Sequence, residues 1–179
     1  MKNNNNLKLG IILTLILIVS ASGCTNPPTN QTKTYSDGIM SFNYPSDFNN
    51  VTYSGNNTSN SSMQAIGKLK NTVPLRVHSI TVAKNKSAIS PTELRNILVS
   101  NVKNMSAGEI VSITTETNLN GVVVEKVIYT DEYAFGMRAM HFNMLFKIND
   151  DVYAVSVYGP DSNIQQITST ANIIFQSIK

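Results

Sequence analysis

One cysteine, two histidines and no tryptophan stand in a chain of 179 residues, only 14% of which is charged. A single thiol closes no intramolecular disulfide, so a core has to hold the fold. His78 and His141 fall on separate predicted strands and could meet across them. With no third ligand at zinc-site spacing, they read as packed or surface residues rather than a metal site. Glycine is scarce, and no Walker or dinucleotide loop is present. Serine is plentiful, yet no Gly-x-Ser-x-Gly elbow occurs. These absences leave enzymatic function without a positive signal, and neither a cofactor nor a metal is expected. Basic residues are scattered singly, apart from Lys68/Lys70 and Lys84/Lys86, so there is no nucleic-acid footprint.

Long apolar runs are as rare as charge clusters, and the clearest lies at the N-terminus. Lys2 and Lys8 precede a run over residues 9–19, broken only by Gly10 and Thr14, and Ser20-Ala21-Ser22-Gly23 follows as a small-residue cleavage site. This order predicts a signal peptide over residues 1–23. The run falls short of the roughly 20 apolar residues that a spanning helix needs. Ala21-Ser22-Gly23-Cys24 resembles the lipobox of prokaryotic lipoproteins. That resemblance implies a diacylglyceryl group on the Cys24 thiol, with Cys24 as the new N-terminus, and two acyl chains suffice for stable attachment. The expected location is therefore the extracytoplasmic face of the cell membrane. Cleavage would remove Lys2 and Lys8 from the 14 basic residues, leaving 12 against 11 acidic ones. A nearly neutral domain gives no electrostatic hint of its partner.

Residues 24–34 are rich in Asn, Pro and Thr and lack apolar periodicity, as a flexible tether would. Residues 35–179 carry the periodic elements, enough chain to bury about two-thirds of its unfolded surface. Met40, Phe42 and Tyr44 alternate with Ile39, Ser41 and Asn43, which predicts a half-buried strand closed by Pro45. Further strands are expected over 48–53, 63–69 and 75–83. Ser90-Pro91-Thr92-Glu93 spells a capping box with proline in the first turn. Leu94, Ile97, Leu98, Val102 and Met105 follow at helical spacing, and Gly108 marks the stop. Strands 109–118 and 122–129 flank Leu119-Asn120-Gly121, where Asn and Gly tolerate positive φ. Strands 135–148 and 152–158 flank Asn149-Asp150-Asp151. A closing helix capped by Asp161 or Ser162 would turn Ile164, Ile167, Ala171, Ile174 and Phe175 inward. Tight turns imply antiparallel pairing. The expected class is α+β, an antiparallel β-sheet covered by two main amphipathic helices.

Tyr35-Ser-Asp-Gly-Ile-Met-Ser-Phe-Asn-Tyr-Pro-Ser-Asp-Phe48 resembles the opening hairpin of PsbP-like domains. Asp151-Val-Tyr-Ala-Val-Ser-Val-Tyr158 and Ile173-Ile-Phe-Gln-Ser-Ile-Lys179 resemble the aromatic-rich strand and helix that close them. The resemblance covers most of residues 35–179. It implies an α/β sandwich that binds or supports an assembly, with prokaryotic relatives that are often lipid-anchored. It carries no activity and no site residue across.

What remains is weak. Asp150-Asp151 sits where a turn favours acidic residues, and Asp131-Glu132 reads as a solvated loop. Asn30, Asn50, Asn56, Asn57, Asn60, Asn85 and Asn104 each precede x-Ser/Thr. Asn56, Asn57 and Asn60 cluster in a predicted loop as candidate glycan acceptors, although a chain rich in Asn, Ser and Thr also yields such triplets by composition. The function expected is a membrane-tethered binding or scaffolding module for an unknown cell-envelope protein or assembly. The alternative is a small-ligand or ion-binding lipoprotein serving a transporter. A deep apolar pocket with convergent polar groups would favour the second, an exposed apolar patch the first.

Overall fold

The computed structural model describes residues 31–50, 63–71, 79–85, 89–134 and 136–179. The predicted signal peptide, Cys24, His78 and the candidate acceptors Asn30, Asn56, Asn57 and Asn60 lie outside the described residues.

The alternation over residues 39–44 becomes a strand. β1 (Thr32–Ser36) pairs antiparallel with β2 (Ser41–Pro45), and Phe42 and Tyr44 of β2 are buried in one cluster with Met40 just before it. Regular structure thus begins at Thr32, ahead of the expected boundary at Tyr35, because Thr32, Lys33 and Thr34 complete the ladder with Pro45, Tyr44 and Asn43. The turn is set by Asp37, whose Oδ1 accepts from the backbone N–H groups of Ile39 at 2.9 Å and Met40 at 2.8 Å. Its Oδ2 accepts from the Tyr153 hydroxyl at 3.0 Å, which fastens the hairpin to the main sheet. Tyr35 stacks on Phe42 with ring centroids 5.1 Å apart. It also lies over Gly67, where a Cβ would come within 2.7 Å of the ring, so this contact demands glycine.

Seven strands form the main antiparallel sheet in the order β3-β4-β5-β9-β8-β7-β6. They are β3 (Phe48–Asn50), β4 (Met63–Asn71), β5 (Ser79–Asn85), β6 (Glu109–Thr117), β7 (Val123–Ala134), β8 (Met137–Ile148) and β9 (Asp151–Pro160). The middle of β8 is buried on both faces. Phe142, Met144 and Phe146 join one core cluster, while Leu145 between them joins another on the opposite face. Two helices supply those clusters. α1 (Pro91–Lys103) sets Leu94 against Leu145 and Val152, and Val102 against Val127 and Tyr129. α2 (Ile164–Ser177) sets Ile167, Ala171, Ile174 and Phe175 into the other face beside Phe142, Met144, Val155 and β2. The expected α+β class, a mostly antiparallel sheet with two helices among the described residues, is therefore observed.

Local signals held unevenly. The capping box forms: the Glu93 N–H donates to Ser90 Oγ at 3.2 Å, and the Ser90 N–H donates to Glu93 Oε2 at 2.7 Å. The stripe behind it is narrower than expected. Leu94 and Val102 are buried and Leu98 half-buried, whereas Ile97 and Met105 are exposed. Ile97 lies on the flank of the contact line, and Met105 falls after the helix has ended. α2 begins after a single 3₁₀ turn, Asp161–Asn163, and Asn163 occupies the cap position without a side-chain bond. Neither Asp161 nor Ser162 caps it, and Ile164, at the helix's first position, points outward at 48% exposure. At the tip joining β6 and β7 only Gly121 takes positive φ, at 80°. Asn120, expected to share that conformation within the Leu119-Asn120-Gly121 turn, does not; Asn118 holds the tip, its Oδ1 accepting from the N–H groups of Asn120 and Val122, each at 2.9 Å. Asn149, at φ 53°, makes the β8–β9 turn with Asp150, and Asp151 belongs to β9.

Candidate functional site

Glu-Ile-Val-Ser-Ile-Thr-Thr-Glu-Thr is rich in β-branched side chains and folds as β6, an outer strand of the sheet. Its ladder bonds run to β7, and among the described strands nothing pairs with its other side. Alternation predicts that Val111 and Ile113 share an inner face, but both are exposed, at 54% and 44%. The register slips between Ile110 and Ser112, so Val111 stands as a bulged residue turned out of the ladder. Ile113 pairs with buried Val127, yet α1 packs on Ile110 beside it and leaves Ile113 uncovered. Leu119 at the hairpin tip and Val123 at the start of β7 add exposures of 84% and 55%. Four large apolar side chains thus face solvent along one hairpin.

The hairpin is held from both faces. Glu125 and Lys126 interrupt the apolar run of β7, and period-two geometry sends them opposite ways. Glu125, nearly buried, accepts from Thr92 Oγ1 at 2.9 Å, Arg95 Nη1 at 2.8 Å and Thr115 Oγ1 at 2.8 Å, which ties α1, β6 and β7 together. Burial would raise its carboxyl, but hydrogen bonds from the two threonines and the Arg95 charge outweigh it and hold it below the ordinary range. Lys126 crosses to the α2 side, where its Nζ lies 2.7 Å from Glu116 Oε2 and 3.4 Å from the Phe175 ring centroid. The lysine's hydrogen bond keeps Glu116 low as well. At the tip, Asn118 Nδ2 donates to the carbonyls of Phe175 and Ile178 at 2.9 and 2.7 Å, and Asn120 Nδ2 donates to Ile178 at 2.9 Å. These carbonyls at the end of α2 would otherwise lack partners. The outer edge is thus a strand anchored on both faces, with apolar flanks and no partner on its outer side among the described strands.

His141 sits elsewhere on the α1 face, in a cross-strand row of rings. It stacks on Tyr129 at 4.5 Å and 4° and on Tyr158 at 5.6 Å and 11°, and its Nε2 lies 3.0 Å from Asp131 Oδ1. Burial raises the Tyr129 hydroxyl, and the Asp131 charge adds to this. Ring stacking and a carboxylate bond engage the imidazole structurally. The other acidic candidates are also engaged: Asp151 with Lys84 at 2.6 Å, Asp150 with Lys147 at 3.6 Å, and Glu132 with the Gly136 N–H at 3.0 Å. Among the described residues no three His, Cys, Asp or Glu side chains converge on a metal position. A cleft of about 480 Å³ opens beside the start of α1, with Thr92, Asn120, Glu125 and Lys147 on its walls. Its carboxylate is the one already committed to Thr92, Arg95 and Thr115. Of the described Asn-x-Ser/Thr positions, Asn50 and Asn104 are exposed and Asn85 is buried. No helix among the described residues is long and apolar enough to cross a membrane.

The strand over 109–118 is legible in the sequence, but its place at the edge is not. The available signal was Glu125-Lys126 inside an apolar run, which marks a strand whose two faces meet different partners.

The fold has solved counterparts. PsbP (CyanoP) from Synechocystis sp. PCC 6803 superposes with a TM-score of 0.58 at 12% identity, over 89% of this chain and 98% of that one. LpqN of Mycobacterium tuberculosis, described as involved in cell envelope biogenesis, gives 0.57 at 13% identity, over 83% and 90%. The Ran-binding protein Mog1p of Saccharomyces cerevisiae gives 0.54 at 8% identity, over 84% and 96%. No family model matches the chain, and no curated protein does. The fold is PsbP-like, as the opening and closing segments implied.

Proposed function

We propose that this chain is a membrane-tethered extracytoplasmic binding or scaffolding protein, anchored through Cys24, that engages a cell-envelope protein or assembly with the β6 edge. One observation carries the reading: Val111, Ile113, Leu119 and Val123 are exposed on a hairpin that Glu125, Lys126 and Asn118 hold rigid. Covering one half-exposed aliphatic side chain is worth about 1 kcal/mol. Four of them give about 4 kcal/mol, no more than the lower end of the roughly 4–15 kcal/mol cost of association. Backbone bonds along an unpaired strand supply what the side chains lack, as in recognition by strand addition. The lipobox-like segment and a fold shared with an envelope-biogenesis protein agree with this placement.

The test compares three full-length forms expressed in the native host. Wild type should be recovered from detergent-solubilised membranes with a stoichiometric companion. Ile113→Lys, which puts a charge on the edge without touching the core, should stay in the membrane and lose that companion at least tenfold. Cys24→Ser should leave the detergent phase. Undiminished recovery of the companion by Ile113→Lys would refute the β6 assignment, and wild-type partitioning by Cys24→Ser would refute the anchor.

A further inference from the structure

We propose that Asn104 carries an N-linked glycan, an inference that rests on the extracytoplasmic placement above. An acceptor triplet alone says little in a chain with this much asparagine, so exposure has to discriminate, and of the described acceptors Asn104 is the one whose whole triplet is described and exposed. Asn104, Met105 and Ser106 are all exposed, in the turn after α1. The cap at that helix end uses the Asn104 backbone, whose N–H donates to Ser100 and Asn101 carbonyls at 3.2 and 3.1 Å. The backbone is thereby fixed (φ −89°, ψ −6°), and the residue remains exposed. Asn85 has the same triplet chemistry but is 3% exposed on β5, an interior strand between β4 and β9. A sugar there would have no room, whereas one on Asn104 displaces no packed atom.

The position has a physical consequence. The turn from Asn104 leads directly into β6, and Met105 within the triplet is an exposed apolar side chain at 42%. A glycan would cover it with polar bulk at the start of the free edge, away from Ile113 at the middle of the strand. Such a cover restricts indiscriminate pairing along an unprotected strand.

The transfer needs a lipid-phosphate-linked oligosaccharide and an envelope transferase. The Asn104 carboxamide nitrogen attacks the anomeric carbon and a C–N bond forms. The anomeric C–O bond to phosphate breaks, the lipid phosphate leaves, and one amide proton passes to a base of the transferase. The Ser106 hydroxyl, two residues on, completes the acceptor.

The experiment is peptide mass mapping of the full chain purified from its native host's membranes. The peptide spanning 104–106 should be heavier than its sequence mass by an oligosaccharide, and the Asn85 peptide should not. Asn104→Gln and Ser106→Ala, both at exposed positions, should each return the peptide to sequence mass. An unmodified Asn104 peptide in membrane-recovered protein would overturn this inference and leave the anchored placement standing. Recovery of unmodified protein from the cytosol would overturn both.

Discussion

Two adjacent residues of opposite charge, Glu125 and Lys126, decide how the sheet is gripped. Removing Glu125 would take away Arg95's carboxylate, leaving it only Asn96, and leave two threonine hydroxyls short of an acceptor. Glu125→Ala should therefore cost about 2–4 kcal/mol, read from denaturant midpoints. The sign with pH follows from the lowered carboxyl. Its contribution is complete above the unfolded glutamate value near pH 4.3, and it fades as pH falls through the lower folded value. Asp37 adds to the same window: burial opposes its charge, but the Met40 and Ile39 N–H groups, Tyr153 and Lys84 prevail and lower it. Wild type should lose midpoint as pH falls below about 4.3, and Glu125→Gln should lose less over the same descent. A Glu125→Gln profile parallel to wild type would show that the cluster carries no ionic contribution. The sequence displayed these charges inside Val-Val-Val-Glu-Lys-Val-Ile-Tyr. It could not display their partners, because Thr92 lies 33 residues from Glu125 and becomes its neighbour only once α1 lies on the sheet.

At the scale of elements, local chemistry was legible and coverage was not. Ser90 and Glu93 close their box within four residues, so pattern sufficed. The exposure of Ile97 depends on which strands α1 overlies, and that of Val111 on a bulge set by the neighbouring strand. The helix can be tested by a pair of truncations. Leu94 packs on Leu145 and Val152, and Leu94→Ala should cost about 2–4 kcal/mol. Ile97→Ala should stay within about 0.5 kcal/mol, as surface changes do. Equal costs at Leu94 and Ile97 would mean that the helix is rotated from the register given by its capping box.

Across the whole molecule, antiparallel pairing, two amphipathic helices and their order along the chain were all readable from turns and periodicity. Sheet order was not. β9 slots between β5 and β8 through pairs such as Val82 with Val155, more than seventy residues apart, and no local signal encodes that choice. This order leaves β6 outermost, so the candidate binding edge is a property of topology rather than of any motif. The most direct measurement is site-specific photocrosslinking in native membranes, with a photoreactive residue at Ile113 or, as a reference, at Gln165 on the exposed side of α2. The account predicts one discrete adduct with a second polypeptide from position 113 and little from position 165. Adducts from position 165 with none from 113 would contradict it.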